Sequence, residues 1–148
     1  MMSLLIIINV ILLVSISILH FYWAIGGTWG LSGAIPERLK MRNNIRLNKI
    51  TDSTVMIILT IIVAIGLLLF ASIIALNSTA INIPINPYWV RTGTIIIGII
   101  FFLRAIGNFD FVGLFKSDHE GIFAERDTKF YVPLCLVLSI NSFLIILL

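Results

Sequence analysis

The sequence predicts an all-α membrane protein, built as one bundle of four transmembrane helices with both termini outside the cytoplasm. Three observations predict this fold. Hydrophobic residues make up 59% of the 148 residues and charged residues only 11%, whereas soluble domains carry roughly 25% charged residues. Four apolar stretches are long enough to cross a bilayer, which takes about 20 helical residues. The basic residues are concentrated in two of the connections between these stretches.

This composition excludes a soluble globular domain, a disordered tail and a disulfide scaffold. The single cysteine, Cys135, also excludes a thiolate metal cage and the paired cysteines of a thiol oxidoreductase. Cys135 lies between two leucines, where it either packs as a small apolar side chain or acts as a reactive thiol. The two histidines show no metal-binding spacing, and no serine or cysteine stands in a nucleophile motif. We therefore predict no metal, no cofactor and no catalytic residue.

The predicted spans cover about residues 4–25, 55–76, 88–107 and 130–148 of a single domain. They lack the alternating polarity that is typical of barrel strands. No basic residue precedes the first span and no small-residue cleavage site follows it, so we expect it to be retained rather than removed as a signal peptide. One face of the second span carries small residues, which suit close helix contact: Thr60, Ala64, Ala71 and Ala75.

The connections over 26–54 and 108–129 carry eight of the ten basic residues and all seven acidic ones. The positive-inside rule therefore places both connections in the cytoplasm, with the chain in the cell membrane. The net charge of +3 then faces the anionic inner leaflet rather than a nucleic acid. Residues 37–49 form a candidate surface helix, whose basic side chains either contact lipid phosphates or form a solvated face. Asp127 or Thr128 is expected to cap the fourth helix.

Three ionisable residues lie near the cytoplasmic ends of different helices: His20, Arg104 and Asp127. Arg104 needs a counter-ion at this depth, and Asp110 and Asp127 are the candidates. Arg104 is then a packing latch, a side chain that reaches to the interface, or a clamp for an anion. His20 either makes an interhelical hydrogen bond or handles a proton or a ligand. We expect Lys116 to be exposed and therefore to matter less for stability than Arg104.

Aromatic and glycine residues follow the first span. Tyr22, Trp23 and Trp29 either wall a pocket or form an interfacial belt. The glycine-dense segment 26–33 lacks the Gly-x-Gly-x-x-Gly order and a preceding strand, which excludes a dinucleotide-binding fingerprint. It favours flexible backbone or a re-entrant turn, with an anion-binding nest as the weaker alternative.

Two sequence blocks resemble a known family. The first runs from His20 to Gly30, with His-x-Tyr-Trp at its start, and is followed by Ala34-Ile35-Pro36. The second contains Arg104-Ala105-Ile106-Gly107, then Val112 to Lys116, Arg126-Asp127-Thr128 and Tyr131-Val132-Pro133. Together they resemble the bacterial domain-of-unknown-function family 3995, small membrane proteins with four predicted helices. The resemblance implies the four-helix architecture and no particular reaction.

Three classes of function remain open. The first is a bundle that binds a small or lipid-like, anionic molecule near the cytoplasmic interface. The second is a transporter or channel, which with four helices would need several copies of the chain. The third is an accessory or structural subunit in which the polar cluster only holds the helices together. We favour binding, with these candidate ligand-binding residues: His20, Tyr22, Trp23, Trp29, Arg104, Asp110 and Asp127.

Overall fold

The computed structural model describes residues 2–35, 54–79, 81, 83–108, 110, 112–117 and 119–148. These residues contain four helices that are long and apolar enough to cross a membrane, as predicted. The helices are α1 (Met2–Ala24), α2 (Thr54–Ala75), α3 (Pro87–Ile106) and α4 (Gly121–Leu147). The predicted surface helix over 37–49 lies outside the described residues.

In helix α1 the spacing of the buried residues decides which face packs against the other helices. Its buried residues recur every three or four positions, so they form one stripe along the helix: Ile6, Asn9, Leu13 and Ser17. In α2 the buried residues follow the same spacing and include Ala64 and Ala71 of the predicted small-residue stripe. Small side chains let two helix backbones approach closely. This explains the extensive contact between α1 and α2.

The helices pack as two hairpins. Helix α1 lies against α2, α3 lies against α4, and the contact of α1 with α4 joins the two pairs. Each contact carries a polar link between helices. Ser17 donates to the carbonyl of Ala64 at 2.8 Å, and Ser139 donates to that of Gly98 at 2.8 Å. Such bonds satisfy polar groups that would otherwise be costly in hydrocarbon.

Asn9 makes the corresponding link between α1 and α4. It is fully buried, its Nδ2 donates to Ser142 Oγ at 3.2 Å, and its Oδ1 accepts from Asn141 Nδ2 at 3.2 Å. Between α2 and α3, Asn77 Nδ2 donates to Thr94 Oγ1 at 2.8 Å. These polar side chains thus hold neighbouring helices together.

Most of the apolar surface faces outward. Between 22% and 33% of each span is buried inside the protein, and many exposed side chains are isoleucine, leucine or valine. A protein in water would reverse this arrangement, because exposed apolar area costs free energy there. The outer surface is therefore suited to contact with lipid tails.

Helix α4 differs from the prediction in two ways. It begins at Gly121, nine residues before the expected start of the span, and Asp127 lies inside it rather than at its N-terminus. The charged residues extend the helix because they pair: Lys129 Nζ lies 2.7 Å from Glu125 Oε1, and Asp127 finds partners outside the helix. Thr128 likewise does not cap the helix, since its hydroxyl donates to the carbonyl of Ala124 at 3.1 Å.

A π-helical turn at Asp127–Tyr131 interrupts α4. Two residues later comes Pro133, which has no N–H and whose ring collides in a regular α-helix with the carbonyl four residues before it. The wider turn gives that carbonyl room, so the helix continues through the proline. It also lies where α4 presents Asp127 to the other helices.

Candidate functional site

The site is built on the loop that follows α3. Gly107 ends the helix at a φ of +87° and Gly113 has a φ of +100°, a region that favours glycine. Their backbones are in direct contact, so that a Cβ on Gly113 would collide with the Cα of Gly107. Asn108 Oδ1 accepts from the N–H groups of Asp110 at 3.2 Å and Val112 at 3.1 Å. This fold of the loop directs the N–H of Gly113 toward α4.

Asp127 is the centre of the cluster and is fully buried. Its Oδ1 accepts from Arg104 Nη2 at 3.1 Å. Its Oδ2 accepts from the N–H of Gly113 at 2.8 Å and from Lys116 Nζ at 3.0 Å. Both oxygens of the carboxylate are thus held by charge-assisted hydrogen bonds, which are about twice as strong as neutral ones.

Lys116 corrects a prediction, because it is buried and not exposed. Its side chain is 1% exposed and forms an ion pair with Asp127. Its Nζ also donates to the carbonyl of Ala124 at 2.9 Å and to Thr128 Oγ1 at 2.7 Å, which occupies all three of its N–H donors. Sequence reasoning missed it because a lysine in a charged connection normally points to water. Gly107 and Gly113, which turn the loop back toward α4, were the sequence feature that could have indicated this burial.

The cluster carries more positive than negative charge. Arg104 and Lys116 together face a single carboxylate, that of Asp127. The side chain of Arg104 is 36% exposed, but its Nη1 is buried and has no hydrogen-bond partner among the described residues. Arg104 therefore binds Asp127 through Nη2, and the N–H groups of its Nη1 have no acceptor among the described residues.

Arg104 also lines a cavity of about 340 Å³ among the helices. All four helices contribute to its wall, which is mostly apolar. Its polar side chains are Arg104, His20 and Tyr131, and Cys135 lies in the wall as well. The remaining wall residues include Leu67, Phe101, Phe123 and Leu138. A cavity of this volume lies at the small end of the range for small-molecule sites, about 300–1,000 Å³.

His20 is oriented by its own helix. Its Nδ1 lies 2.8 Å from the carbonyl oxygen of Ile16, and since a carbonyl only accepts, Nδ1 carries the proton. In the neutral ring Nε2 is then an acceptor. The ring packs edge-on against Trp23 with a centroid distance of 5.0 Å. His20 is thus a positioned polar group in the cavity wall.

The three aromatic candidates are linked but differ in position. Trp23 Nε1 donates to the carbonyl of Trp29 at 2.9 Å, and the N–H of Trp29 donates to Tyr22 Oη at 3.4 Å. Trp23 lines the central cavity. Trp29 is 74% and Tyr22 39% exposed, and both belong to grooves on the outer surface.

The structure thus brings together some of the predicted residues and separates others. Arg104 pairs with Asp127, and His20 and Trp23 share the cavity wall with Arg104. Asp110, the alternative counter-ion, is exposed at the surface of the loop, where its N–H binds Asn108. Lys116, Tyr131 and Cys135 join the cluster or its cavity although the prediction did not include them.

Comparisons with known proteins give one match. No curated protein and no solved structure matches the chain. The sequence profile of one family matches residues 13–142, which include parts of α1 and α4, the whole of α2 and α3, the loop after α3 and the polar cluster. The chain therefore belongs to the DUF3995 family, a family of proteins of unknown function.

Proposed function

We propose that this chain is a multi-pass protein of the bacterial cell membrane that binds a monoanionic, lipid-like molecule in the cavity between His20 and Arg104. The observation that carries the proposal is Arg104 Nη1, a buried donor without a hydrogen-bond partner among the described residues. It belongs to a side chain that lines a mostly apolar cavity. Buried donors in proteins are nearly always satisfied, and an anionic ligand would supply the acceptor.

The charge of the cluster favours a monoanion. Two cations, Arg104 and Lys116, are balanced by Asp127 alone. Uncompensated charge is costly at membrane depth, and one additional negative charge would neutralise the group. A carboxylate also matches the planar N–H donors of a guanidinium. A carboxylate or a phosphodiester therefore fits better than a dianionic phosphate.

The cavity wall favours an apolar body on that anion. At about 30 Å³ per water-sized group, the volume of 340 Å³ holds a molecule with a chain of about ten carbons. Leu67, Phe101 and Leu138 would contact the chain, and Trp23 would flank it. Decanoate is the simplest compound with these properties.

The residues divide the work. Arg104 would bind the anionic group through Nη1. Asp127 accepts from Arg104 Nη2 and so positions the guanidinium. His20 would accept a hydrogen bond through Nε2 from a ligand that carries a hydroxyl group, a contact that decanoate does not make. Tyr22 and Trp29 act through the chain of hydrogen bonds that supports Trp23. This assigns Asp127 a positioning role rather than contact with the ligand.

The distribution of charge supports one orientation. The connection 26–54 and the loop with Lys116 carry most of the basic residues, so the positive-inside rule favours a cytoplasmic position for both. The cavity would then open near the inner leaflet. Transport through several copies is less favoured, because Asn9 and Asn141 in the core are engaged in hydrogen bonds between helices.

The single cysteine provides the test. Cys135 lines the same cavity as Arg104, so the rate at which a membrane-permeant maleimide alkylates it reports on cavity occupancy. The protein in nanodiscs is treated with decanoate, decanol or decyltrimethylammonium. We expect decanoate to slow alkylation several-fold, decanol to slow it less, and the cation to have no effect.

Arg104→Gln should abolish the protection by decanoate, and Lys129→Gln, which removes an exposed cation from the same region, should preserve it. Arg104→Lys keeps the charge and tests the guanidinium itself. In this variant decanoate should protect Cys135 only weakly. Absence of protection by decanoate, or equal protection by decanoate and decanol, would contradict the proposal. Melting temperatures of the variants confirm that each is folded before its rate is interpreted.

A further inference from the structure

A second cavity lies outside the central one, in the cleft between α1 and α4. Its volume is about 430 Å³, and its wall includes Trp23, Trp29, Arg126, Phe130 and Tyr131. Trp23 and Tyr131 also line the central cavity, so they form the partition between the two. The outer cavity has its own cation, Arg126, and does not include Arg104.

The fold holds Arg126 in place. Its side chain crosses Gly33 so closely that a Cβ there would collide with Arg126 Cδ and lie 2.6 Å from its Nη1. Gly33 is in turn fixed to α4, because Tyr131 Oη donates to its carbonyl at 3.0 Å. The segment that carries Gly33 and Trp29 therefore positions both the cation and an aromatic wall of the outer cavity.

The positive charge of Arg126 is only weakly compensated by Glu125, whose carboxylate interacts mainly with Lys129. The adjacent acid, Glu125, pairs with Lys129 at 2.7 Å. Within the part of the chain that the structure describes, Arg126 forms no ion pair. The cavity thus offers a positioned guanidinium to an anion from outside the protein.

The length of α4 places this cation at the edge of the bilayer. A helix of 27 residues is ~40 Å long at ~1.5 Å per residue, whereas the hydrocarbon core is ~30 Å thick. The excess belongs to the N-terminal end, since the charged residues of α4 are there. Trp29 and Phe130 are 74% and 64% exposed beside Arg126, as expected for aromatic residues at headgroup level.

We propose that the outer cavity is a binding site for an anionic glycerophospholipid. Arg126 binds the phosphate, and Trp29 and Phe130 flank the glycerol and the upper part of an acyl chain. The site uses neither Arg104 nor the cluster around Asp127, so it stands whether or not the central cavity binds a ligand.

Tryptophan fluorescence tests the site. In the full chain carrying Trp89→Phe, the remaining tryptophans, Trp23 and Trp29, both line the outer cavity. The protein is placed in phosphatidylcholine vesicles, in which brominated phosphatidylglycerol or brominated phosphatidylcholine replaces the unlabelled lipid stepwise. We expect half-maximal quenching at an about fivefold lower fraction of phosphatidylglycerol, the preference that one basic residue at a membrane surface confers.

Arg126→Gln should remove this preference, and Arg91→Gln, which causes the same change in net charge near the start of α3 and away from the outer cavity, should retain it. Arg126→Lys should retain part of it. Equal quenching by the two lipids in the unsubstituted site, or an undiminished preference in Arg126→Gln, would overturn the proposal. Displacement of the brominated lipid by soluble glycerol phosphate would overturn the membrane lipid as the ligand. Equal melting temperatures in pure phosphatidylcholine show that the variants are comparably folded.

Discussion

At the scale of single residues, the burial of Lys116 changes the stability ranking that the sequence predicts. Lys116 and Asp127 are both almost completely buried, whereas Arg104 is more than one-third exposed. Removing one partner of a buried pair leaves the other charge uncompensated, while an exposed cation can turn to water. Lys116 is therefore the more important partner of Asp127 for stability.

We predict that Lys116→Ala destabilises the protein more than Arg104→Ala. The loss for Lys116→Ala should be about 3–5 kcal/mol, the range for removing one partner of a buried ion pair. Unfolding in detergent by denaturant titration or heat measures it. Lys129→Ala is the control, because Lys129 is 64% exposed and should have little effect. A Lys116→Ala protein that melts together with Lys129→Ala would show that the buried pair does not support the fold.

At the scale of elements, the loop between α3 and α4 decides which groups meet Asp127. Only glycine permits the close approach of Gly107 and Gly113, and this approach brings the N–H of Gly113 to the carboxylate. The N–H of Leu114 then donates to the carbonyl of Ala105 at 2.9 Å, which ties the returning chain to the end of α3. Lys116 comes two residues after Leu114, and its side chain reaches Asp127.

We predict that Gly113→Ala lowers the melting temperature by several degrees. The added Cβ would collide with the Cα of Gly107 and with the carbonyl oxygen of Ile106, at a φ that side chains disfavour. Gly66→Ala is the matched control. A Cβ on Gly66 meets no atom within 4 Å, and alanine is the better helix former, so its melting temperature should stay equal or rise. Equal melting of both variants would contradict the proposed role of the loop.

At the scale of the whole molecule, an apolar outer surface encloses a few hydrogen bonds between helices. Hydrogen bonds connect α1 with α2 and α4, and α3 with α2 and α4. Because lipid tails are as apolar as leucine, such bonds and close packing hold membrane helices together. Apart from Arg91, the charged residues that the structure describes lie at one end, where Asp127 joins the loop after α3 to α4.

The orientation in the membrane is tested with single cysteines in a Cys135→Ser background. His119→Cys lies at the end that carries the basic residues and Thr79→Cys at the opposite end, and both positions are exposed. We expect an impermeant maleimide added to intact cells to label position 79 but not position 119, and inverted vesicles to show the reverse. Labelling of position 119 in intact cells would overturn the cytoplasmic placement.

The family, the four membrane-length helices and the pairing of Arg104 with one of two acids could be predicted from the sequence. Hydropathy is a local property, since each span must satisfy its own backbone hydrogen bonds in lipid. A charge at the end of a span must also find an opposite charge, which restricted Arg104 to Asp110 or Asp127. The sequence alone could not decide between these two acids.

Only the tertiary structure decided which acid pairs with Arg104, that Lys116 is buried, where α4 begins and that cavities exist beside Arg104 and Arg126. These features depend on the fold of the loop at Gly107 and Gly113 and on the approach of Gly33 to α4. The sequence by itself determined that the chain forms apolar helices, because the free energy of transfer into lipid is summed residue by residue. The partner of a buried charge depends instead on distances between groups far apart in the chain, which only the packed helices define.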